Sequence, residues 1–200
     1  MNRNQTYFAA KTYRLVFAAL FAGIIYVGTL IRIPLGESRV SVANALCVLA
    51  GLMLKPVDAG LSAGLGSAIY DLTLGGYGPI DAVITFVSKF VMALVCALIK
   101  RLTEKQTGRT LIDQPSVNIY LISALSAFTY VVLYMAKSIF YGGIILKKGE
   151  NGPLMYALLK LPASVINAVM ATVLAPLAYC ALWTPLHSMG IIEKFNPRTK

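Results

Sequence analysis

A chain of 200 residues, 58% hydrophobic and only 13% charged, with mean hydropathy +0.71, cannot fold as an ordinary soluble domain, because a globular surface takes about 25% charged residues. One membrane-crossing helix needs roughly 20 apolar residues, so this length is filled by about six crossings and leaves no room for a separate soluble catalytic domain. The formal net charge of +10 first has to be divided between the two sides of a membrane before it says anything about nucleic acid.

The first apolar run spans residues 15–33, after a polar stretch from Met1 to Lys11 that has no signal-peptide pattern. The second, 40–54, is short for a crossing and is closed by Lys55-Pro56. The third, 59–74, is rich in Gly and Ala and ends in Gly75-Gly76-Tyr77-Gly78-Pro79, a turn composition. The fourth, 80–99, is closed by Lys100-Arg101, and the polar segment from Thr103 to Ser116 reads as a solvated loop. The fifth covers 117–141, and Lys147 to Gly152 reads as a turn. The last apolar stretch is too long for one crossing, so Pro162 is expected to divide an interfacial lead-in from a sixth span at 162–186. The expected fold is a single all-α integral membrane domain of six transmembrane helices. Cys47, Cys96 and Cys180 are isolated and apolar-flanked, which suits neither a zinc site nor a disulfide framework.

Six crossings place both termini on one side. Arg3, Lys11, Arg14, Lys55, Lys100, Arg101, Lys105, Arg109, Lys194, Arg198 and Lys200 fall on that side, against Arg32, Arg39, Lys147 and Lys148 in the opposite loops. The asymmetry makes the termini cytoplasmic and accounts for most of the basic charge. No nucleic-acid partner is expected.

Lys89, Lys137 and Lys160 remain, and a charge inside a span costs on the order of 3 kcal/mol on insertion scales. Lys89 lies ten residues beyond Pro79, roughly 15 Å down its helix at 1.5 Å per residue. Lys137 and Lys160 are nearer the outer interface, where snorkelling is the competing explanation. Tyr130, Tyr134, Lys137 and Tyr141 share one helical face. Asp81, Thr85, Ser88 or Lys89, and Met92 share another, and Lys160, Ser164, Asn167 and Ala171 a third. These stripes occupy the outer halves of three helices, a pattern that suits a pocket open to the outside better than a pore. Helix-to-helix hydrogen bonding and an interfacial aromatic belt are the structural alternative. Ala18 and Ala22 form a flat small-residue face on the first span, and Gly60, Gly64, Ser67 and Asp71 form one on the third.

The run from Asn44 to Pro56, the segment Gly60 to Leu72 with Gly64, Gly66-Ser67 and Asp71-Leu72, then Gly76-Tyr77, Thr85-Phe86 and Lys89, resemble the substrate-binding S component of energy-coupling factor (ECF) vitamin transporters. Size, six spans and the Ala18-x-x-x-Ala22 motif extend the likeness over nearly the whole chain. The resemblance implies high-affinity binding of a vitamin from outside, with a transmembrane coupling protein and two cytoplasmic ATPases as partners. It also implies docking of the coupling protein on the Ala18 and Ala22 face and a lid at Ile33 to Val40. The family's usual Pro before Thr-Phe-x-x-Lys is replaced by the stretch Asp81-Ala82-Val83-Ile84, so a standard set of vitamin contacts does not follow.

The expected function is therefore binding and uptake of a vitamin-like small molecule as the substrate-specific subunit of an ATP-driven importer in the plasma membrane. No cofactor, metal or catalytic residue is expected. Lys89, Lys137, Lys160, Thr85, Tyr130, Tyr134, Tyr141 and Asn167 are the candidate substrate contacts, Asp71, Gly64 and Ser67 the candidate intramembrane structural residues. Lysines among tyrosines suit a ligand with an anionic group and a planar body. A self-sufficient carrier or channel using Asp71 and Lys89 is the alternative. An intramembrane hydrolase is disfavoured because Ser67 lacks a nucleophile motif and the sole His187 lies at the far end of the last span.

Overall fold

The computed structural model describes residues 3–35, 38–76, 78–111, 116–141, 143 and 152–190. Its order is α1 (Arg3–Leu30), β1 (Arg32–Leu35), β2 (Ser38–Ser41), α2 (Ala43–Met53), α3 (Pro56–Thr73), α4 (Pro79–Thr107), α5 (Ser116–Phe140) and α6 (Gly152–Ser188). Among the described residues there are six α-helices, and between the first two β1 and β2 pair antiparallel, with Arg32 opposite Ser41 and Leu35 opposite Ser38.

Local chemistry sets these boundaries. Pro56 and Pro79 open α3 and α4 at the first helical turn, where a missing N–H costs nothing. Gly108, at φ +66°, ends α4 in the left-handed conformation that glycine adopts without a Cβ penalty. The helix thus continues through Thr107, past the expected boundary near Ile99, and part of the polar stretch expected as a loop is its last turns. Likewise α6 is continuous from Gly152, although Pro162, Pro176 and Pro185 lie inside it. Pro162 does not divide the segment: proline removes one backbone donor, whereas unwinding in hydrocarbon would strand several. Of the expected turn at Gly75 to Pro79 only Tyr77 lies outside the described residues: the Gly75 N–H donates to the Tyr70 carbonyl and Gly76 has φ +68°. The expected turn at Lys147 to Gly152 lies outside them except for Gly152, which opens α6.

Among the described residues four helices are long and apolar enough to cross a bilayer, in α1, α4, α5 and α6. The 11-residue α2 is much shorter than a crossing. It is the central helix, with ten residues buried, Val48, Ala50 and Leu52 completely. The helices around it bury polar groups and expose apolar ones. Val57, Leu61, Leu65, Ile69 and Leu72 make an exposed stripe along α3, while Ser62, Ser67 and Asp71 are buried on its other face. That inversion is what a hydrocarbon solvent selects.

Close approaches hold the bundle together. A Cβ on Gly51 would lie 2.6 Å from Cys96 Cβ, so α2 and α4 touch almost backbone to backbone. A Cβ on Gly66 would lie 2.4 Å from the Ala22 carbonyl oxygen of α1, and Gly60 and Gly64 receive the rings of Phe90 and Phe86. Arg14 Nε and Nη2 both donate to Asp58 Oδ2, and Ser62 donates to the Ala18 and Asp58 carbonyls. At the end of the bundle away from the hairpin, Lys100 donates to the Leu52 carbonyl and lies 5.5 Å from the Tyr179 ring and 5.8 Å from Trp183. This end is filled by the apolar core; the hairpin end is not.

Candidate functional site

Beneath the hairpin is a cavity of about 670 Å³, within the size range of small-molecule sites. Its walls are the three polar stripes. Tyr130, Tyr134, Lys137 and Tyr141 come from α5, Asp81, Thr85, Ser88 and Lys89 from α4, and Lys160, Ser164 and Asn167 from α6. Ser67 and Asp71 add the buried face of α3. All eight candidate substrate contacts line this one space. Met92 and Ala171, which continue two of the stripes, are in the solid core below it. Helical spacing explains the convergence, because positions three and four apart stay on one side of a helix.

The floor is the first turn of α2. Asn44, 3% exposed, accepts a hydrogen bond from Lys89 Nζ, and that ammonium lies 4.2 Å from the centre of the Tyr130 ring. Tyr130 and Tyr134 stack with centroids 5.8 Å apart, giving a wall of two parallel-leaning rings.

The roof is the hairpin, and it is fastened to three helices. Asn167 accepts from the Ser41 N–H through Oδ1 at 2.9 Å and donates to the Arg39 carbonyl through Nδ2 at 2.8 Å. Ser38 and Tyr134 hydroxyls are 3.0 Å apart, and Arg39 Nη2 is 3.1 Å from Asp71 Oδ1. Both Arg32 and Arg39 lie over the Tyr70 ring, at 5.7 and 5.6 Å. One further ion pair and one hydrogen bond occur at the margin. Lys137 Nζ is 2.9 Å from Asp81 Oδ1, and Lys160 donates to the Tyr156 hydroxyl.

Five basic side chains line the cavity, Arg32, Arg39, Lys89, Lys137 and Lys160, against Asp71 and Asp81. Two buried hydroxyls, those of Ser67 and Ser164, line the cavity. Among the described residues no cluster of three His, Cys, Asp or Glu groups suits a metal ion. His187 stacks on Trp183, at the opposite end of the bundle from Ser67.

Arg39 and Tyr156 are cavity residues that sequence reasoning passed over. Arg39 was legible only as a loop charge, and Tyr156 precedes Lys160 by one turn, a spacing that in retrospect extends the α6 stripe. Gly64 lies outside the cavity lining, against Phe86. Ala18 and Ala22 are half-buried toward α3, whereas Ala19 and Gly23 are exposed beside Leu20, Ile24 and Val27 in a shallow apolar groove on α1.

Comparison with known families matches residues 9–183 to the ECF-type riboflavin transporter, S component. No individually curated protein matches the chain. The match spans α1 through most of α6, and with it the hairpin and every wall of the cavity. The chain thus belongs to the family of ECF-type riboflavin transporter S components, membrane proteins that serve vitamin uptake as substrate-binding subunits.

Proposed function

We propose that this protein is the substrate-specific subunit of an ATP-driven importer and that its cavity takes a planar vitamin carrying an anionic group. The observation that carries this reading is the excess of basic over acidic groups around the stacked Tyr130 and Tyr134 rings. Aromatic faces take a flat body and ammonium groups take an anion. The six helices all cross or enter the membrane, with the hairpin end outside and both termini in the cytoplasm. A coupling protein docks on α1 and brings two cytoplasmic ATPases. Flavins are the first class to test, since the matching family is described by riboflavin; riboflavin itself has no group ionised at neutral pH, so of the flavins only a phosphorylated one carries the anion, and tight binding of riboflavin would remove the anionic half of the reading.

The test is mass spectrometry of the small molecule extracted from the purified chain, followed by calorimetric titration with that molecule and with riboflavin. One planar vitamin per chain is expected. An empty protein that titrates with neither sinks the reading. The self-sufficient carrier loses its main pair, because Asp71 meets Arg39 and Lys89 meets Asn44 rather than each other. Uptake into proteoliposomes holding this chain alone would restore it.

A further inference from the structure

We infer that α2 and α4 act as one rigid body pinned by a lysine at each end, and that Lys100, at the end away from the cavity, is a positioning residue for the cavity floor. Its bearing on ligand binding rests on the reading of this cavity as the ligand site; the rigid body itself does not.

The pattern starts in α4. Lys89, Ala93, Cys96 and Lys100 fall at i, i+4, i+7 and i+11, one face of the helix over roughly 16 Å. Each of the four meets α2. Lys89 Nζ donates to Asn44 Oδ1 in its first turn, Cys96 Sγ donates to the Val48 carbonyl at 3.6 Å, and Lys100 Nζ donates to the Leu52 carbonyl in its last turn. Between these bonds, a Cβ on Gly51 would lie 2.9 Å from the Ala93 carbonyl oxygen. The two helices therefore run in the same direction, in contact along the whole of α2.

A short buried helix needs such pins. The last carbonyls of a helix have no partner within it, and ten of the 11 residues of α2 are buried away from water. The Leu54 N–H takes the Ala50 carbonyl and Lys100 takes that of Leu52; a carbonyl left unpaired there is costly. A cation at this end also opposes the negative pole of the helix dipole. Lys100 is itself held in place. Its side chain is 12% exposed, with the Glu104 carboxylate at 4.0 Å and the Tyr179 and Trp183 rings of α6 at 5.5 and 5.8 Å. Glu104 in turn accepts from the Leu111 N–H at 3.2 Å. The consequence reaches the cavity, which Asn44 and Lys89 line and Lys100 does not. A displacement of Leu52 is carried along α2 to Asn44, roughly 12 Å away, and from there to Lys89.

Residue-resolved amide hydrogen exchange on the purified full chain tests this without a ligand. In the wild-type protein the amides of Leu46, Cys47 and Val48, near the cavity, and of Leu52, Met53 and Leu54, at the far end, should open together, with protection agreeing within roughly tenfold. Lys100→Met keeps the apolar stem and removes the pin. Exchange should then quicken roughly ten- to a hundred-fold at both ends of α2, with Ile122 and Ala127 of α5 unchanged. Lys100→Arg, which keeps the charge and the donors, should restore most of the protection. Far-end amides that open alone in the wild-type protein would overturn the rigid body even if Lys100→Met does not fold. So would quickening confined to the last turn of α2, or spread equally into α5. Riboflavin titration keeps the two readings apart. A chain that opens α2 as one unit yet binds neither riboflavin nor a co-purified vitamin keeps the rigid body and removes the ligand reading; binding by a chain whose α2 ends open separately does the reverse. Where riboflavin binds, Lys100→Met should weaken it roughly tenfold, and unchanged affinity would overturn the positioning role.

Discussion

Asn167 has both polar atoms of its amide committed to the backbone of β2, so it acts as a clamp for the roof. Each such bond contributes about 0.5 to 1.5 kcal/mol net. Asn167→Ala should therefore speed amide hydrogen exchange across Arg32–Ser41 by roughly five- to a hundred-fold, with Asn167→Asp intermediate because it keeps the acceptor for Ser41. Unchanged exchange in both variants would return Asn167 to the list of ligand contacts. At this scale the sequence is a good guide to membership and a poor guide to role. Periodicity alone gathers Lys89, Lys137, Tyr134 and Asn167 on facing stripes. It cannot say that Lys137 is matched by Asp81, or that Asn167 reaches a strand 126 residues earlier in the chain. Those pairings depend on how helices rotate against one another, which is set by packing of the whole bundle.

Among the elements, α2 was the least legible from sequence, because a short helix buried on all sides has no amphipathic stripe to mark it. The hairpin before it was equally hidden, its Ile33 and Val40 reading as ends of two apolar runs when they are paired neighbours. Long helices were readable from length and hydropathy alone, apart from their ends. The position of α2 depends on Gly51. A Cβ there would stand 2.6 Å from Cys96 Cβ and 2.9 Å from the Ala93 carbonyl oxygen, neither of which can move without shifting α4. Gly51→Ala should cost about 1 to 3 kcal/mol by overpacking. Gly23, on α1, has nothing within 4 Å of an added Cβ, so Gly23→Ala should be neutral or stabilise the helix by up to about 1 kcal/mol. Unfolding midpoints of the two variants in one detergent check both. Equal midpoints would mean that α2 and α4 are not packed as closely as described.

For the whole molecule, the proposed orientation and the proposed docking are linked, because a partner on the cytoplasmic side could move the cavity only if the hairpin faces outward. Gly78 and Gln106 are exposed at opposite ends of α4. Cysteines at these two positions in a Cys180→Ala background should react with an impermeant maleimide from outside only at residue 78; the reverse, or reaction at both, would end the proposed topology. The docking face follows from what covers α1. Ala18 and Ala22 carry the family's small-residue spacing, but the Ala18 carbonyl accepts from Ser62 and the Ala22 carbonyl faces Gly66, so this side of α1 is turned toward α3. One residue further along, Ala19 and Gly23 repeat the same four-residue spacing on the open side, flanked by the exposed Leu20, Ile24 and Val27. Without side-chain bulk a partner helix can approach an α-helix closely, and in lipid such packing is the main driving force for association. Ala19→Leu with Gly23→Leu should therefore abolish ATP-dependent uptake when the chain is reconstituted with its coupling protein and ATPases, while ligand binding by the isolated subunit stays within about twofold of wild type, a difference under about 0.5 kcal/mol. Ala22→Leu should instead lower the unfolding midpoint, since its side chain enters the α1 and α3 contact. If Ala22→Leu leaves stability intact and alone blocks uptake, the partner seats on the Ala18 and Ala22 side, and α1 must turn away from α3 when it docks.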